Sequence, residues 1–160
     1  MPTEGSFAVN RTVVSYYINL YRMDLFPTED PARKSIVTRL MIAADYRRTN
    51  LAFRLFSECY TIGLMRGTKL NFMDCNDHLV EFFKGIGYRD YVGRVVHEEY
   101  GEVTPMYLDL QDVDYLKMLK SPYIKAYDRW LSTRPTDIDP VDLPLAGIPA
   151  VDRLVRISPT

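Results

Sequence analysis

The chain has 160 residues, of which 47% are hydrophobic and 26% charged, and its net charge is −1 at pH 7. This length suits one domain with a buried core, and the balanced charge argues against DNA, RNA or an acidic membrane surface as a partner. The two cysteines do not form a CxxC pair, so they provide neither a disulfide framework nor a zinc motif. The sequence shows no secretory signal and no membrane-spanning apolar run, so it predicts a cytoplasmic protein.

The first half of the chain predicts two strands and a helix. Val13–Tyr21 is rich in β-branched and aromatic residues and predicts a strand, followed by a proline-interrupted polar loop over Phe26–Lys34. Ser35–Ala43 is a nearly continuous apolar run, which is typical of a strand covered on both faces. Apolar residues then recur at i, i+4 and i+8 over Leu51–Gly63, which predicts a helix with a wide apolar face that ends near Gly67.

A strand, a helix and a strand pair are predicted next. Lys69–Cys75 reads as a short strand, and a helix over His78–Gly87 follows it with Asp77 as the N-cap. The segments YVGRVV and VTPMYLDL predict two strands that pair through the turn HEEYGE. Pro105 lacks an N–H group, so we expect it at a sheet edge, at a bulge or at a strand start.

The remaining residues predict two helices and a tail. DVDYLKMLK predicts a helix that ends near Pro122, and YIKAYDRW predicts another. From Ser132 the sequence holds five of its ten prolines and shows no periodicity, so residues 132–160 are expected to form an extended tail that packs on the domain or on a partner. The domain itself is expected over residues 1–131, as an α/β fold with a mixed central sheet flanked by helices.

A polar corner precedes the predicted helix at Leu51. Residues 43–55 read AADYRRTNLAFRL, so Arg47 and Arg48 stand just before Thr49 and Asn50. Helix N-termini offer free N–H groups and a positive dipole end, and flanking cations favour an anion there further. The alternative is a solvated turn in which both arginines are ordinary surface charges.

The corner and its flanks resemble a known superfamily. SIVTRLMIAADYRRTNLAFRLF followed by GTKLNFMDCNDHLVEFFKGIGYR is similar to the acyl-thioester-binding core of the GCN5-related N-acetyltransferases (GNAT). In that family, a loop of pattern Arg/Gln-x-x-Gly-x-Gly/Ala binds the pyrophosphate of coenzyme A, or the phosphopantetheine of a carrier protein, through backbone N–H groups. The resemblance implies that the following residues bind the donor: Met41, Ile42, Arg47, Arg48, Thr49, Asn50, Leu51 and Ala52. Asn50 takes the place of the first glycine and is a residue type that tolerates positive φ.

Further segments resemble one subgroup of that superfamily. VTRL, CNDHLVEFF and HEEYGEVTPMYLDLQDVDYL are similar to long-chain N-acyl amino acid synthases, with acyl-homoserine-lactone synthases as more distant relatives. The resemblance spans Ile36 to Tyr123, with the domain core over residues 35–123. It implies an acyltransferase that moves a long fatty acyl chain from acyl-coenzyme A or an acyl carrier protein to a primary amine of an amino acid or peptide. No tightly bound cofactor is implied, because the acyl thioester is a co-substrate.

The sequence departs from the family pattern at three places. Phe83 stands where the family often has a tyrosine acid that protonates the departing thiolate, and Ile36 stands where lactone synthases carry a glutamate. Residues 1–34 leave room for only a strand pair before the matched core. A partner chain, a second copy or the C-terminal tail is therefore expected to complete the sheet.

Three polar residues are the candidates for catalysis. Arg39 is a lone cation in an apolar strand and needs a counter-charge, which an acceptor carboxylate or a structural acid would supply. His78 belongs to a residue type that titrates near neutral pH and could act as a base, or it only caps a helix or faces solvent. Asn76 could hold the amine or the pantetheine amide, or it serves as a cap. Cys75 is interpreted as a small buried hydrophobe, not a nucleophile.

A rival hypothesis comes from the missing acid and the shortened N-terminal part. A GNAT-like domain without its tyrosine could be a non-catalytic subunit that binds an acyl carrier protein or a partner enzyme. Thiol release from acyl-coenzyme A in the presence of amines separates the two hypotheses.

Overall fold

The computed structural model of the protein describes residues 11–38, 45 and 49–133. These residues form a mixed five-stranded sheet flanked by helices, so the predicted α/β class is confirmed. Three short 3₁₀ turns over Met23–Leu25, Pro31–Arg33 and Asp77–Leu79 join the elements. The helices and strands are, in chain order, α1 (Arg11–Leu20), β1 (Lys34–Ile36), α2 (Leu51–Met65), β2 (Leu70–Cys75), α3 (Val80–Ile86), β3 (Arg89–Asp90), β4 (Val95–His97), β5 (Gly101–Asp109), α4 (Val113–Met118) and α5 (Tyr123–Thr133).

The strand β2 lies at the centre of the sheet. It pairs in parallel with β1, from Lys34 opposite Leu70 to Ile36 opposite Phe72. On its other side it pairs antiparallel with β5 over its whole length. The strands β3 and β4 both pair antiparallel with β5. The predicted pairing of YVGRVV with VTPMYLDL is confirmed in part, because only Val95 and Val96 of the first segment belong to β4 and residues 91–94 form no strand. The strand β2 thus continues three residues beyond its last partner in β1.

The predicted strand over Val13–Tyr21 is wrong, because this segment forms the helix α1. Tyr17 and Tyr21 lie four residues apart, their ring centroids are 5.3 Å apart, and they pack against one face of the sheet. Aromatic and β-branched residues favour any surface on which they can pack, so composition alone did not distinguish a strand from an amphipathic helix. The part of residues 1–34 that the structure describes therefore supplies a helix and two 3₁₀ turns in place of the expected strand pair.

Two hydrophobic clusters cover the two faces of β2. Leu70 and Phe72 point towards α1, where Tyr21 and Met23 bury them. Met73 and Cys75 point the other way, into the larger cluster formed with α2, α3, α4 and α5. Alternate residues of a strand face opposite sides, so one six-residue strand supplies both clusters.

Several predicted element bounds need correction. The strand predicted over Ser35–Ala43 is only partly buried at β1, and residues 39–44 lie outside the described residues. Asp77 is not a side-chain N-cap: it begins a 3₁₀ turn before α3, and its carboxylate pairs with Arg94 at 2.6 Å. The helix predicted over Leu51–Gly63 is confirmed as α2 and is followed by Gly67 at φ 70°.

Pro105 lies inside β5 and not at a strand start, but on the side of β5 away from β2 it has no described partner strand, as expected of a proline at an edge or a bulge. On one side of β5, Pro105 is opposite Asp74 of β2. On the other side, β4 pairs with residues 101–103 and β3 with residues 106–107, which leaves Thr104 and Pro105 between the two described partner strands. The proline therefore lies where β5 passes from one neighbour to the next.

Candidate active site

Within the described residues, the pairing of β1 with β2 ends before the C-terminal end of β2. The Val37 N–H group donates to the Phe72 carbonyl at 2.8 Å, which is the last described hydrogen bond between this edge of β2 and the chain that follows β1. Beyond it, Met73, Asp74 and Cys75 continue the strand. The described residues thus leave one edge of β2 open over its last three residues.

A cavity of about 650 Å³ lies at this opening and extends beneath α2. Its walls are mostly apolar and come from β2, α2, α3, β5 and the start of α5. Five residues of α2 line it, namely Ala52, Phe56, Cys59, Tyr60 and Gly63. The cavity therefore combines an open polar end, at the end of β2, with a deep apolar interior.

The apolar interior of the cavity extends along α2. Ala52 and Gly63 both line it and lie eleven residues apart on α2, which corresponds to about 16 Å along the helix axis. The absence of a side chain at Gly63 gives space for Leu110, because a Cβ atom there would lie 2.6 Å from the Leu110 Cδ2 atom. Tyr60 and Tyr123 stack with centroids 4.6 Å apart near this far end. Such a shape suits an extended hydrocarbon chain.

Polar groups inside the apolar part are paired with one another. The Asn71 side-chain amide donates to Ser35 Oγ at 2.8 Å, and its oxygen accepts from Tyr88 Oη at 2.8 Å. All three residues line the cavity. Because their hydrogen bonds are satisfied internally, they stabilise the junction of β1 and β2 and offer no obvious reacting group.

Asp74 is the acidic residue among the described residues that line the cavity. It is half-buried, and its Oδ2 atom accepts a hydrogen bond of 3.0 Å from Tyr21 Oη. Burial raises the pKa of the Asp74 carboxyl above its ordinary value, while the hydrogen bond from Tyr21 and the nearby His97 oppose that rise. A half-buried carboxylate with a raised pKa at a cavity is the kind of group that accepts protons in enzymes.

His97 is buried, with 4% of its surface exposed, and it is near enough to lower the pKa of the Asp74 carboxyl. Its Nδ1 atom accepts from the Glu99 N–H group at 3.0 Å, and its Nε2 atom lies 3.4 Å from Tyr17 Oη. With Nδ1 as an acceptor, the neutral ring carries its proton on Nε2. Its ring packs on Tyr100, which lines the cavity, with centroids 4.5 Å apart.

The predicted donor-binding residues are only partly described. Arg39, Met41, Ile42, Arg47 and Arg48 lie outside the described residues. Thr49 and Asn50 precede α2, and the Leu51 N–H group donates to Thr49 Oγ1 at 3.2 Å. Asn50 is the N-cap residue with φ −76°, so it does not use the positive φ that its glycine-like place suggested. Ala52 lines the cavity, whereas Leu51 is exposed.

The residues predicted near the end of β2 have different environments. Asn76 is exposed and lines the mouth of the cavity, whereas His78 is exposed and is not among the lining residues. Phe83 is buried and lines the cavity, so the place of the family's tyrosine acid offers no hydroxyl group. Cys75 is buried, and burial raises the pKa of its thiol to about 11, which agrees with its interpretation as a small hydrophobe.

Asp74, Tyr21 and His97 were not among the predicted site residues. Asp74 was taken as part of a short strand, although a carboxylate near the end of a buried apolar strand is itself a signal, since burying it is costly without a partner. Tyr21 and His97 gave no such signal. Their proximity to Asp74 depends on α1 and β4 packing at the same end of the sheet.

Two features are absent from the described part of the chain. No helix there is long and apolar enough to cross a membrane. No group of three or more His, Cys, Asp or Glu side chains there is placed to hold a metal ion.

No protein-family model matches the sequence, and no curated protein is significantly similar to it. Similar solved structures include a Lactobacillus plantarum protein assigned as an N-acetyltransferase, with 18% identity, TM-score 0.46 and coverage of 51% of this chain and 56% of that one. A chimeric spermidine N-acetyltransferase, SpeG, from Vibrio cholerae and hSSAT has 16% identity, TM-score 0.44 and coverage of 55% and 56%. The CoA-dependent acyl-homoserine lactone synthase MesI has 11% identity, TM-score 0.43 and coverage of 55% and 45%.

The matched region thus spans about half the length of those three chains. With identities below 25% and TM-scores below 0.5, these likenesses transfer neither a residue role nor an activity to this chain.

Proposed function

We propose that this protein is an N-acyltransferase that moves a long fatty acyl group from a thioester of coenzyme A or acyl carrier protein to a primary amine of an amino acid or peptide. The observation that carries this proposal is the cavity at the open end of β2, which continues for about 16 Å beneath α2. The sequence resemblance described above points to the same chemistry.

In the proposed complex, the acyl chain occupies the apolar part of the cavity and the phosphate-bearing arm of the donor leaves past the start of α2. The lining is predominantly apolar, as small-molecule sites usually are. The first turn of α2 supplies backbone N–H groups that favour an anion. Arg47 and Arg48 precede that turn in the sequence and remain predicted phosphate ligands.

The thioester itself would lie at the open edge of β2. The Leu110 N–H group donates to the Lys69 carbonyl, so these two opposite residues are hydrogen-bonded to each other. Since hydrogen-bonded and non-hydrogen-bonded pairs alternate along an antiparallel ladder, the main chain of every second residue from Lys69 onwards bonds to β5, namely Lys69, Asn71, Met73 and Cys75. The N–H group of Asp74 therefore points to the opposite, open edge. A backbone N–H group at this position is suited to polarise a thioester carbonyl.

The site supports direct attack of the amine on the thioester. Cys75 is buried with a raised thiol pKa, which argues against a covalent acyl-cysteine intermediate. Attack within a ternary complex needs only positioning of the amine, polarisation of the carbonyl and removal of a proton.

The proposal also includes a location and an assembly. The free thiols Cys59 and Cys75 need no oxidising compartment, which supports the cytoplasm. Among the described strands, β1 lies at one end of the sheet order. A second copy or a partner chain that extends the sheet beside β1 belongs to the same proposal.

The first test measures donor binding and turnover. We expect palmitoyl-coenzyme A at about a hundredfold its dissociation constant to stabilise the protein by about 2.7 kcal/mol in a thermal-shift assay. Free coenzyme A and acetyl-coenzyme A should stabilise it less, because they fill less of the apolar cavity. Thiol release from palmitoyl-coenzyme A and from palmitoyl-acyl carrier protein, measured with a panel of amino acids, should then require an amine.

No stabilisation and no thiol release with either donor would contradict the proposal. Tight binding without turnover would favour the rival function, a non-catalytic subunit that binds an acyl carrier protein or a partner enzyme. The observation that favours this rival is Phe83, which is buried at the cavity and has no hydroxyl group to protonate a leaving thiolate.

The second test asks whether the interior of the cavity holds the chain. Cys59→Phe places a large ring midway along the α2 wall, so palmitoyl-coenzyme A should lose stabilisation while butyryl-coenzyme A keeps it. If the ring excludes four methylene groups, the loss is about 3 kcal/mol, at about 0.8 kcal/mol for each. Thermal shift against acyl chain length measures this.

Glu58→Phe is the matched control, since it adds the same ring to the exposed side of α2. Its chain-length dependence should follow the wild type. If Cys59→Phe binds all chain lengths as the wild type does, the acyl chain does not lie beneath α2.

A further inference from the structure

We propose that Asp74, positioned by Tyr21 and accompanied by His97, binds the acceptor's ammonium group on the α1 face of the sheet and takes up the proton that the amine must lose. This inference rests on the proposed function and adds the acceptor side of the site. The acceptor class it implies is a primary amine that is protonated at neutral pH and enters from the face opposite to α2.

The cavity is lined by residues from both faces of β2. Met73 and Cys75 belong to the cluster under α2, whereas Asp74 points towards α1, where Tyr21 contacts it. All three β2 residues nevertheless line one cavity. Because side chains alternate along a strand, residues that belong to opposite faces of β2 thus line one cavity at its C-terminal end. A donor on the α2 face and an acceptor on the α1 face can therefore meet there.

Tyr21 holds the Asp74 carboxylate in place through a hydrogen bond. Tyr21 is 1% exposed, its carbonyl accepts a hydrogen bond from Tyr91 Oη, and its ring packs on Tyr17. Burial, with Asp74 nearby, raises the pKa of the Tyr21 hydroxyl far above its usual range, so the hydroxyl only donates at physiological pH. Tyr21 thus fixes Oδ2 of Asp74, and the carboxylate still has acceptor capacity for an ammonium group.

The groups around Asp74 come from α1, β4, β5 and its own strand end. Tyr21 faces it from the end of α1 and His97 from β4, while its opposite residue in β5 is Pro105, which does not titrate. At its own strand end, Cys75 is a buried neutral thiol, and Asp77 is paired with Arg94. Among the described residues, no Lys or Arg forms an ion pair with this half-buried carboxylate, and His97 is a basic group near it. A substrate ammonium group would provide a cation that pairs with the carboxylate.

In the proposed acyl transfer, the acceptor's ammonium group supplies the protons. The ammonium group gives one proton to the Asp74 carboxylate and becomes a neutral amine. Its nitrogen attacks the thioester carbonyl carbon, so the C–N bond forms and the C–S bond breaks. Of the two remaining protons, one stays on the amide nitrogen and the other passes to the sulfur, which leaves as the thiol. Asp74 afterwards returns its proton to water.

Replacing Asp74 should have opposite effects on the stability of the fold in the proposed role and in a purely structural role. Its pKa is raised in the folded protein, so the unfolded chain releases the proton first as pH rises. The ionised carboxylate therefore lowers the stability of the fold at pH values above its folded pKa. Asp74→Asn removes the charge and keeps an oxygen that accepts from Tyr21, so it should raise the midpoint temperature of unfolding at pH 7. A structural carboxylate would instead lower it when replaced.

The kinetic test compares two amines in the wild type and in Asp74→Asn. The first is the amino acid with the highest kcat/KM in the wild-type panel, which is protonated at pH 7, and the second is methoxyamine, which is not. We expect Asp74→Asn to lose about 10²-fold or more in kcat/KM with the amino acid and much less with methoxyamine. The acidic limb of the wild-type pH profile should be absent in Asp74→Asn and partly restored in Asp74→Glu.

Asp77→Asn is the matched control, because Asp77 lies three residues later and is exposed. Its kinetics should follow the wild type, and palmitoyl-coenzyme A should stabilise both variants as it stabilises the wild type. Equal losses with both amines, or a lower midpoint temperature for Asp74→Asn, overturn the inference and leave the proposed function standing. A wild type that neither binds palmitoyl-coenzyme A nor releases thiol overturns the proposed function, and this inference with it.

Discussion

Alanine at Gly87 should lower the free energy of unfolding by about 2 to 5 kcal/mol, whereas alanine at Gly85 should raise it by about 0.5 to 1 kcal/mol. Gly87 follows α3 at φ +126°, and a Cβ atom there would lie 2.5 Å from Leu116 Cδ2 and 3.1 Å from Leu108 Cδ1. Gly85 is exposed inside α3, and a Cβ atom there would meet nothing within 4 Å. The two glycines thus form a matched pair two residues apart.

Urea denaturation of both variants measures this difference, with each free energy extrapolated to water. Equal free energies for Gly87→Ala and the wild type would mean that the backbone after α3 relaxes to an ordinary conformation. That result would also move Tyr88, whose hydroxyl group bonds Asn71 inside the cavity.

The second large effect is expected for Phe72→Ala, at about 3 to 5 kcal/mol of destabilisation. Phe72 is fully buried on the α1 face of β2, and its ring contacts Phe26 edge to face with centroids 5.2 Å apart. Its carbonyl also accepts the last described hydrogen bond from the chain after β1. Truncation leaves a cavity between α1 and the sheet, and the close packing around it cannot fully collapse.

Phe53→Ala removes the same ring from an exposed position of α2, where 43% of the residue surface is accessible. Its ring contacts Phe82 with centroids 5.6 Å apart, so its loss should be at most about 1.5 kcal/mol. Urea unfolding of the two variants side by side gives the comparison. If both lose the same stability, the α1 face of the sheet is not the well-packed layer described above.

The elements that the sequence predicted correctly have a clear period or a clear stop. The helix α2 has a wide apolar stripe and Gly67 after its end, and β2 is a compact apolar run. The segment Val13–Tyr21 has neither, because tyrosines four residues apart suit a helix face while its β-branched residues suit a strand. Only the packing of Tyr17 and Tyr21 against the sheet decides for the helix, and no local pattern contains that contact.

The candidate site was predictable to a smaller extent. Ala52 was predicted to bind the donor and Asn76 to take part in catalysis, and both line the same cavity. Asp74 could have been suspected from its place near the end of an apolar strand. Tyr21 and His97 could not, since they come from positions 53 residues before and 23 residues after it and meet it only through the sheet topology.

The position of Pro105 also has a consequence for the backbone of the sheet. The hydrogen bond from Leu110 to Lys69 shows which residues of β5 direct their backbone groups towards β2. Since these directions alternate along the strand, the nitrogen of residue 105 points away from β2, towards the gap between β3 and β4. Any other residue would place an amide hydrogen in that gap, and Pro105 is among the most completely buried residues of the described chain. An imide nitrogen carries no hydrogen to satisfy, so the sheet can exchange one flanking strand for another without trapping a solvent molecule or leaving an orphaned donor.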